Sequence, residues 1–121
     1  MPDIRHRVLT ALALNRTPGF TFAGNYLGVR FGAQSPANAR VMMDGGVHCE
    51  DEHGAVDPGA ACLLADIAMA TAVRAALSPE QRLATVSMQL QFTGRPLQGA
   101  LDGEGELVDF VDGADSRQGL C

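Results

Sequence analysis

The longest apolar stretch of the chain runs from Pro58 to Arg74, and Asp66 is the only charged residue between them. Its residues are mostly Ala and Leu, without the polar face of a surface helix. A helix that is apolar on every side is normally buried on every side. Because Asp57 and Pro58 suit the N-cap and the first helical position, the pattern predicts one long buried helix over residues 58–77.

Alternating apolar and polar residues predict strands on both sides of this helix. The clearest alternation spans residues 85–93, where four apolar side chains share one face. Weaker patterns predict strands over residues 27–31, 37–43, 100–111 and 116–121, a hairpin at Asp112–Gly113 and a short amphipathic helix over residues 3–15. One-sided strands beside an all-round apolar helix predict a sheet that wraps around the helix.

Length and charge limit the possible functions. A chain of 121 residues is the size of one domain, so we expect a single domain over residues 1–121, with an N-terminal helix and linker over residues 1–20. The net charge of −5 argues against a nucleic-acid partner. No apolar stretch reaches the ~18 residues of a membrane span, so no membrane partner is expected. Three widely spaced cysteines indicate free thiols in a reducing compartment, the cytoplasm.

The carboxylate of Asp66 needs an explanation, because a charge inside an apolar helix is costly unless it has partners or a task. Two interpretations stay open on this run alone. Asp66 is either a structural residue that is hydrogen-bonded to a neighbouring loop, or a carboxylate of an active site.

The run from His48 to His53 contains two histidines, one cysteine and three acidic residues. The histidines are five positions apart on a predicted strand-to-loop segment, so they face opposite ways. Their spacing does not match a zinc pattern. We therefore interpret the run as an acidic surface loop and expect no metal site.

The order and spacing of these motifs resemble the hotdog-fold acyl-CoA thioesterases, in particular the branch related to phenylacetyl-CoA thioesterases. That branch has Asn-x-x-Gly-x-φ-His-Gly-Gly, followed seven residues later by the Asp of Leu-Ala-Asp-x-Ala. Here Leu64–Ala68 matches the second part, Gly54 and Val56 match the loop, and residues 84–96 are similar to the third strand and its exit. The resemblance covers about residues 24–121 and implies an α+β hotdog fold, an antiparallel sheet wrapped around one long central helix.

Three residues depart from the pattern at the helix N-terminus. Asp51 stands where the branch usually has Asn, Asp57 where it has His, and Pro58 where it has the first Gly. In the family, the N–H of that Gly contacts the thioester carbonyl. Proline has no N–H, and losing one oxyanion donor typically costs ~10²–10³ in rate. The N–H groups of Gly59, which keeps the second Gly, or of Ala60 are the candidate substitute donors, and either requires the carbonyl to sit differently.

The resemblance also implies roles for other residues. Asp66 is the general base or nucleophile, and Thr85 and Ser87 are candidates to orient the water or the thioester. Asp57 borders the thioester carbonyl, and Arg95 and Arg117 are candidates for the phosphates of coenzyme A. The family's mechanism requires neither a metal nor a cofactor.

Three functions remain as hypotheses. The first is an acyl-CoA thioesterase that acts as a homodimer or homotetramer, since the family's sites lie between subunits. The second is a non-catalytic hotdog protein that binds acyl-CoA or supports an assembly, which Asp57 and Pro58 favour. The third is a hotdog hydratase, ranked last because no histidine follows His53.

The C-terminal strand looks incomplete beside this branch. Residues 116–121 only begin a strand, and relatives of the branch carry a full strand there and usually another. We expect either that the natural chain continues beyond Cys121, or that residues 3–15 or a partner subunit cover the gap.

Overall fold

The computed structural model describes residues 4–14, 22–35, 38–78, 80–110 and 117–120. The elements, in chain order, are α1 (Ile4–Leu14), α2 (Phe22–Leu27), β1 (Arg30–Ser35), β2 (Asn38–Met43), α3 (Pro58–Arg74), β3 (Leu101–Phe110) and β4 (Arg117–Leu120). The strands form one antiparallel sheet in the order β1-β2-β3-β4. The α+β class and the antiparallel sheet predicted from the sequence are therefore confirmed.

Helix α3 begins where the sequence predicts. Asp57 is the N-cap, and its side chain accepts a hydrogen bond from the N–H of Gly59. Pro58 fills the first helical position, where its missing N–H costs nothing. The helix ends at Arg74, three residues earlier than predicted, and the N–H of Ala75 still donates to the Thr71 carbonyl.

The core lies between α3 and strands β2 and β3. In β2, Ala39, Val41 and Met43 are buried and alternate with more exposed residues, which confirms the predicted face. These side chains meet Leu64 and Ala68 of α3, which are also buried. The helix lies against one face of the sheet, as an apolar helix beside one-sided strands requires.

Two glycines of β3 let α3 approach the sheet closely. A Cβ atom on Gly105 would overlap the backbone carbonyl of Ala68, which has no freedom to move aside. A Cβ on Gly103 would lie 3.3–3.5 Å from side-chain atoms of Val41, Ala68 and Leu64. Gly105 therefore fixes how near the helix backbone comes to the strand.

The predicted strand over residues 27–31 is only partly correct. Leu27 closes α2, and Gly28 follows with a φ of 69°, a left-handed conformation that glycine adopts without steric cost. The chain thereby turns out of α2 before it enters β1 at Arg30. The apolar alternation around Val29 reflects burial at this corner and not strand pairing.

The predicted strand over residues 85–93 is wrong. Residues 84–97, which we call the outer segment, have no regular secondary structure and lie outside the sheet. Within the described part of the chain, the only backbone hydrogen bond to this segment runs from the N–H of Val56 to the Leu97 carbonyl, 2.7 Å. Alternation specifies an extended chain with one apolar face, but a strand also needs a partner for its N–H and C=O groups. As a result Val86 is 97% exposed and Phe92 56%.

The C-terminal strands agree with the sequence where they are described. β3 corresponds to the predicted strand over residues 100–111, and β4 to the one over residues 116–121; the two pair antiparallel. The predicted hairpin at Asp112–Gly113 lies outside the described residues. α1 corresponds to the predicted amphipathic helix over residues 3–15. Among the described helices, none has the length and apolar character needed to cross a membrane.

Candidate functional site

Asp66 lies in the middle of α3, on the side that faces the start of the outer segment. The hydroxyl of Thr85 donates a hydrogen bond to Asp66 Oδ1 over 2.7 Å. Asp66 is half-buried, and Oδ2 has no hydrogen-bond partner among the described residues. The expectation of a fully buried helix is thus corrected here, because none of the described strands covers this side of α3.

The carboxylate opens into a cavity of about 210 Å³, which we call the Asp66 cavity. One wall is α3, the opposite wall is the chain from Leu83 to Thr85, and Phe31 of β1 borders it. Most of the lining is apolar. The hydroxyl of Thr71, also in the wall, is already bonded to the Ile67 carbonyl at 2.6 Å. Among the described residues of the lining, the polar groups left to contact a ligand are therefore the Asp66 carboxylate, with Thr85 bonded to it, and Arg74.

Arg74 lines the same cavity from the last turn of α3. Eight residues separate it from Asp66, a distance of about 12 Å along the helix axis. Its side chain is exposed, and it makes no ion pair within the described part of the chain. The sequence analysis missed this residue, although its spacing from Asp66 (positions i, i+4 and i+8 through Ala70) places all three on neighbouring turns.

A second cavity, of about 320 Å³, lies at the N-terminus of α3. We call it the α3 N-terminal cavity. Its walls come from α2, from the loop before α3 and from the first helical turn, and include Tyr26, His48, Asp57 and Gly59. It shares no lining residue with the Asp66 cavity. The single chain therefore holds the two halves of the predicted site apart.

His48 carries an unsatisfied polar atom in this second cavity. Its Nε2 is buried and has no hydrogen-bond partner among the described residues. Its ring meets that of Tyr26 edge-on, with the centroids 6.4 Å apart. Burial, assisted by the positive charge of Arg7, lowers the pKa of His48 below its usual range. Burial therefore favours the neutral form of the imidazole.

The backbone donors at the start of α3 are already engaged. The N–H of Gly59 donates to Asp57 Oδ1 at 2.9 Å, and that of Ala60 donates to the Asp57 carbonyl at 3.0 Å. Pro58 has no N–H to offer. A thioester carbonyl that used the Gly59 amide would therefore have to displace the carboxylate of Asp57.

The predicted site residues divide into three groups. Asp66 and Thr85 meet in one cavity, and Asp57 and Gly59 meet in the other. Ser87 and Arg95 are exposed on the outer segment and line neither cavity. The side chain of Arg117 lies outside what the structure describes.

The loop before α3 is organised by Asp51. Its Oδ1 accepts hydrogen bonds from the N–H groups of His53 and Ala55, at 2.8 and 3.0 Å, and these bonds lower the pKa of the carboxyl group. The exposed side chains of Glu52 and His53 lie 3.5 Å apart, from Oε1 to Nε2. Over the described residues, no three His, Cys, Asp or Glu side chains cluster as metal ligands.

Several solved structures share this fold. A phenylacetic acid degradation-related protein of Ralstonia eutropha JMP134 is 21% identical, with a TM-score of 0.70 over 85% of this chain and 80% of its own. A thioesterase family protein of Silicibacter pomeroyi is 19% identical, with a TM-score of 0.68 over 88% and 74% of the two chains. A variant of the phenylacetic acid degradation protein PaaI of Thermus thermophilus is 22% identical, with a TM-score of 0.64 over 74% and 75%.

No protein-family model matches the chain, and no curated protein is similar to it in sequence. The likeness is therefore one of fold: the chain resembles the hotdog thioesterases, including the phenylacetic acid degradation branch that the motifs around Asp66 indicate.

Proposed function

We propose that the protein is an acyl-CoA thioesterase in which Asp66 is the general base or the nucleophile. The observation that carries this proposal is the hydrogen bond from Thr85 to Asp66 Oδ1, at the wall of an apolar cavity. A carboxylate held in one orientation, with its second oxygen free, is suited to act on a water or a carbonyl carbon.

In the general-base route, Asp66 Oδ2 takes a proton from water as the water oxygen bonds to the thioester carbon. The carbonyl oxygen becomes an oxyanion. When it collapses, the C–S bond breaks, and the proton held by Asp66 passes to the departing thiolate. The products are a carboxylic acid and the free thiol. The hydroxyl of Thr85 fixes the carboxylate during both proton transfers.

The oxyanion needs donors close to Asp66, and the basic residue of the cavity, Arg74, lies two helical turns away along α3. The nearest candidate, the amide of Gly59, lies in the other cavity, about 10 Å away along the helix axis. A homodimer or homotetramer supports the mechanism better than a monomer, because a second copy can bring its α3 N-terminus to the Asp66 of the first. The exposed apolar face of the outer segment supports such association.

Thiol release from a panel of acyl-CoA thioesters tests this function. Asp66→Asn keeps the shape of the side chain and removes the base, so turnover should fall to background with an unchanged circular dichroism spectrum. Thr85→Val should lower kcat by about tenfold, the typical scale of one lost hydrogen bond to a charged group. Thr93→Val, the same change at an exposed position of the outer segment, is the matched control. Wild-type turnover in Asp66→Asn contradicts the proposal.

The second candidate function is a non-catalytic hotdog protein that binds acyl-CoA or supports an assembly. Pro58, and the Asp57 carboxylate that occupies the Gly59 amide, favour it. Micromolar binding of acyl-CoA by calorimetry, without thiol release from any thioester in the panel, would identify this function.

A further inference from the structure

The lining of the Asp66 cavity contains one basic residue, Arg74, in addition to the carboxylate of Asp66. Asp66 and Arg74 both line this cavity, and they lie about two helical turns apart on α3. The described residues between them in the wall are apolar or, like Thr71, already hydrogen-bonded. The backbone rise between the two residues is about 12 Å along the axis, and the described side chains include no ion pair between them.

A role at the helix C-terminus accounts for only part of this placement. A cation in the last turn interacts favourably with the helix dipole wherever its side chain points. That interaction does not require the guanidinium to line a cavity. Arg74 nevertheless lines the cavity that holds the proposed catalytic group, and no other described residue of the lining is basic.

We infer that Arg74 binds an anionic group of the substrate at the far end of the Asp66 cavity. This inference rests on the proposed thioesterase function. It names the substrate class as thioesters that carry a negative charge at a distance from the reacting carbonyl. A guanidinium forms paired hydrogen bonds with either a carboxylate or a phosphate. The anion is therefore either a carboxylate at the distal end of the acyl group or a phosphate of coenzyme A.

Matched substrates separate the two sources. Adipyl and hexanoyl thioesters have equally long chains and differ in the terminal carboxylate. Each acyl group is presented on coenzyme A and on N-acetylcysteamine, which has no phosphate. The variant is Arg74→Gln, and the matched control is Arg82→Gln, an exposed arginine that lines neither cavity.

If the acyl carboxylate binds, Arg74→Gln lowers kcat/KM about tenfold or more for adipyl substrates on both carriers and leaves hexanoyl substrates unchanged. If a phosphate binds, the loss appears with both acyl groups on coenzyme A and with neither on N-acetylcysteamine. Equal kcat/KM changes for all four substrates, or changes no larger than those of Arg82→Gln, overturn the inference.

Binding of inert thioether analogues keeps this test separate from the proposed function. S-(5-carboxypentyl)-CoA and S-hexyl-CoA cannot be hydrolysed, so calorimetry reports on Arg74 even if no thioester is turned over. The inference holds if Arg74→Gln weakens binding of the carboxylated analogue alone, or of both CoA analogues equally while Arg82→Gln does not. Unchanged affinities overturn it. Absent turnover with an intact Arg74 effect refutes only the thioesterase function.

Discussion

At the scale of single residues, Asp57 has two opposing effects. Its side chain caps α3 by accepting from Gly59, which typically contributes ~1 kcal/mol to helix stability. The same contact brings the negative carboxylate of Asp57 against the N–H of Gly59, the donor that an oxyanion would use. If the proposed thioesterase uses the Gly59 amide, helix stability and the reaction favour different residues at this position.

Asp57→Asn should raise kcat for thioester hydrolysis with little change in stability. Asparagine caps a helix as well as aspartate does, but it removes the charge that opposes the oxyanion. Steady-state thiol release measures the rate, and urea unfolding confirms that the free energy of unfolding is preserved. A lower kcat in Asp57→Asn, with the fold intact, would show that the carboxylate assists the reaction instead.

Pro58→Gly should also raise kcat, because it restores a backbone N–H at the start of α3. One oxyanion donor is worth at most ~10²–10³ in rate, which sets the upper limit of the gain. Glycine at this position is more flexible than proline, so the free energy of unfolding should fall by about 1 kcal/mol. Pro58→Ala adds the same N–H with less flexibility, and a rate gain absent from both variants would exclude this donor.

His48 should make stability fall on mild acidification. Burial lowers its pKa in the folded protein, so below the ordinary value of about 6.5 the unfolded chain binds the proton more readily. The contribution of neutral His48 to the free energy of unfolding is complete above that pH and is lost as the pH falls towards the pKa of the folded protein. Urea unfolding between about pH 7 and 5 should show this slope, and His48→Gln should flatten it. Asp51 and Asp102, whose pKa values are also lowered, act only at more acidic pH.

At the scale of elements, the contact between α3 and β3 depends on a missing side chain. Gly105→Ala should lower the free energy of unfolding by about 1–3 kcal/mol, since the new Cβ overlaps the backbone of Ala68. Gly103→Ala is the matched control two residues earlier, where the Cβ meets movable side chains. Its effect should stay within about 1 kcal/mol. Equal losses in the two variants would contradict the special role of Gly105.

The sequence predicts elements whose cause is local and fails where the cause is distant. α3 and β2 follow from an N-cap, a proline and an alternation that neighbouring residues supply, and both are confirmed. The outer segment has equally strong alternation, but sheet membership depends on a partner strand elsewhere. The alternation of residues 85–93 therefore could not show whether another strand pairs with them.

The candidate site likewise has some features that the sequence indicates and others that only the tertiary structure shows. The resemblance offers Thr85 as a candidate to orient the water or the thioester, and the structure has its hydroxyl donating to Asp66 at 2.7 Å. The orientation of Arg74 into the cavity and the unsatisfied Nε2 of His48 depend on tertiary packing. Sequence spacing indicates that such residues share an element, but not which cavity they face.

At the scale of the whole molecule, the exposed face of the outer segment should drive self-association. Val86, Met88, Leu90 and Phe92 are all exposed on this segment, and exposed apolar patches typically mark interaction sites. We expect a dimer or larger species by light scattering at micromolar concentration. Phe92→Glu should shift the protein towards monomer, whereas Gln91→Glu adds the same charge on the alternate side and should not. A monomeric wild-type protein would contradict this prediction.

The two attachments of the outer segment have a consequence for proteolysis. Among the described contacts, the hydroxyl of Thr85 holds one end to α3, and the carbonyl of Leu97 holds the other to Val56. The amides between them are unprotected, so a protease should cut there first. The resulting fragments carry adjacent strands, β2 and β3, which stay paired across the sheet. The nicked chain should therefore elute as one species and separate only in denaturant.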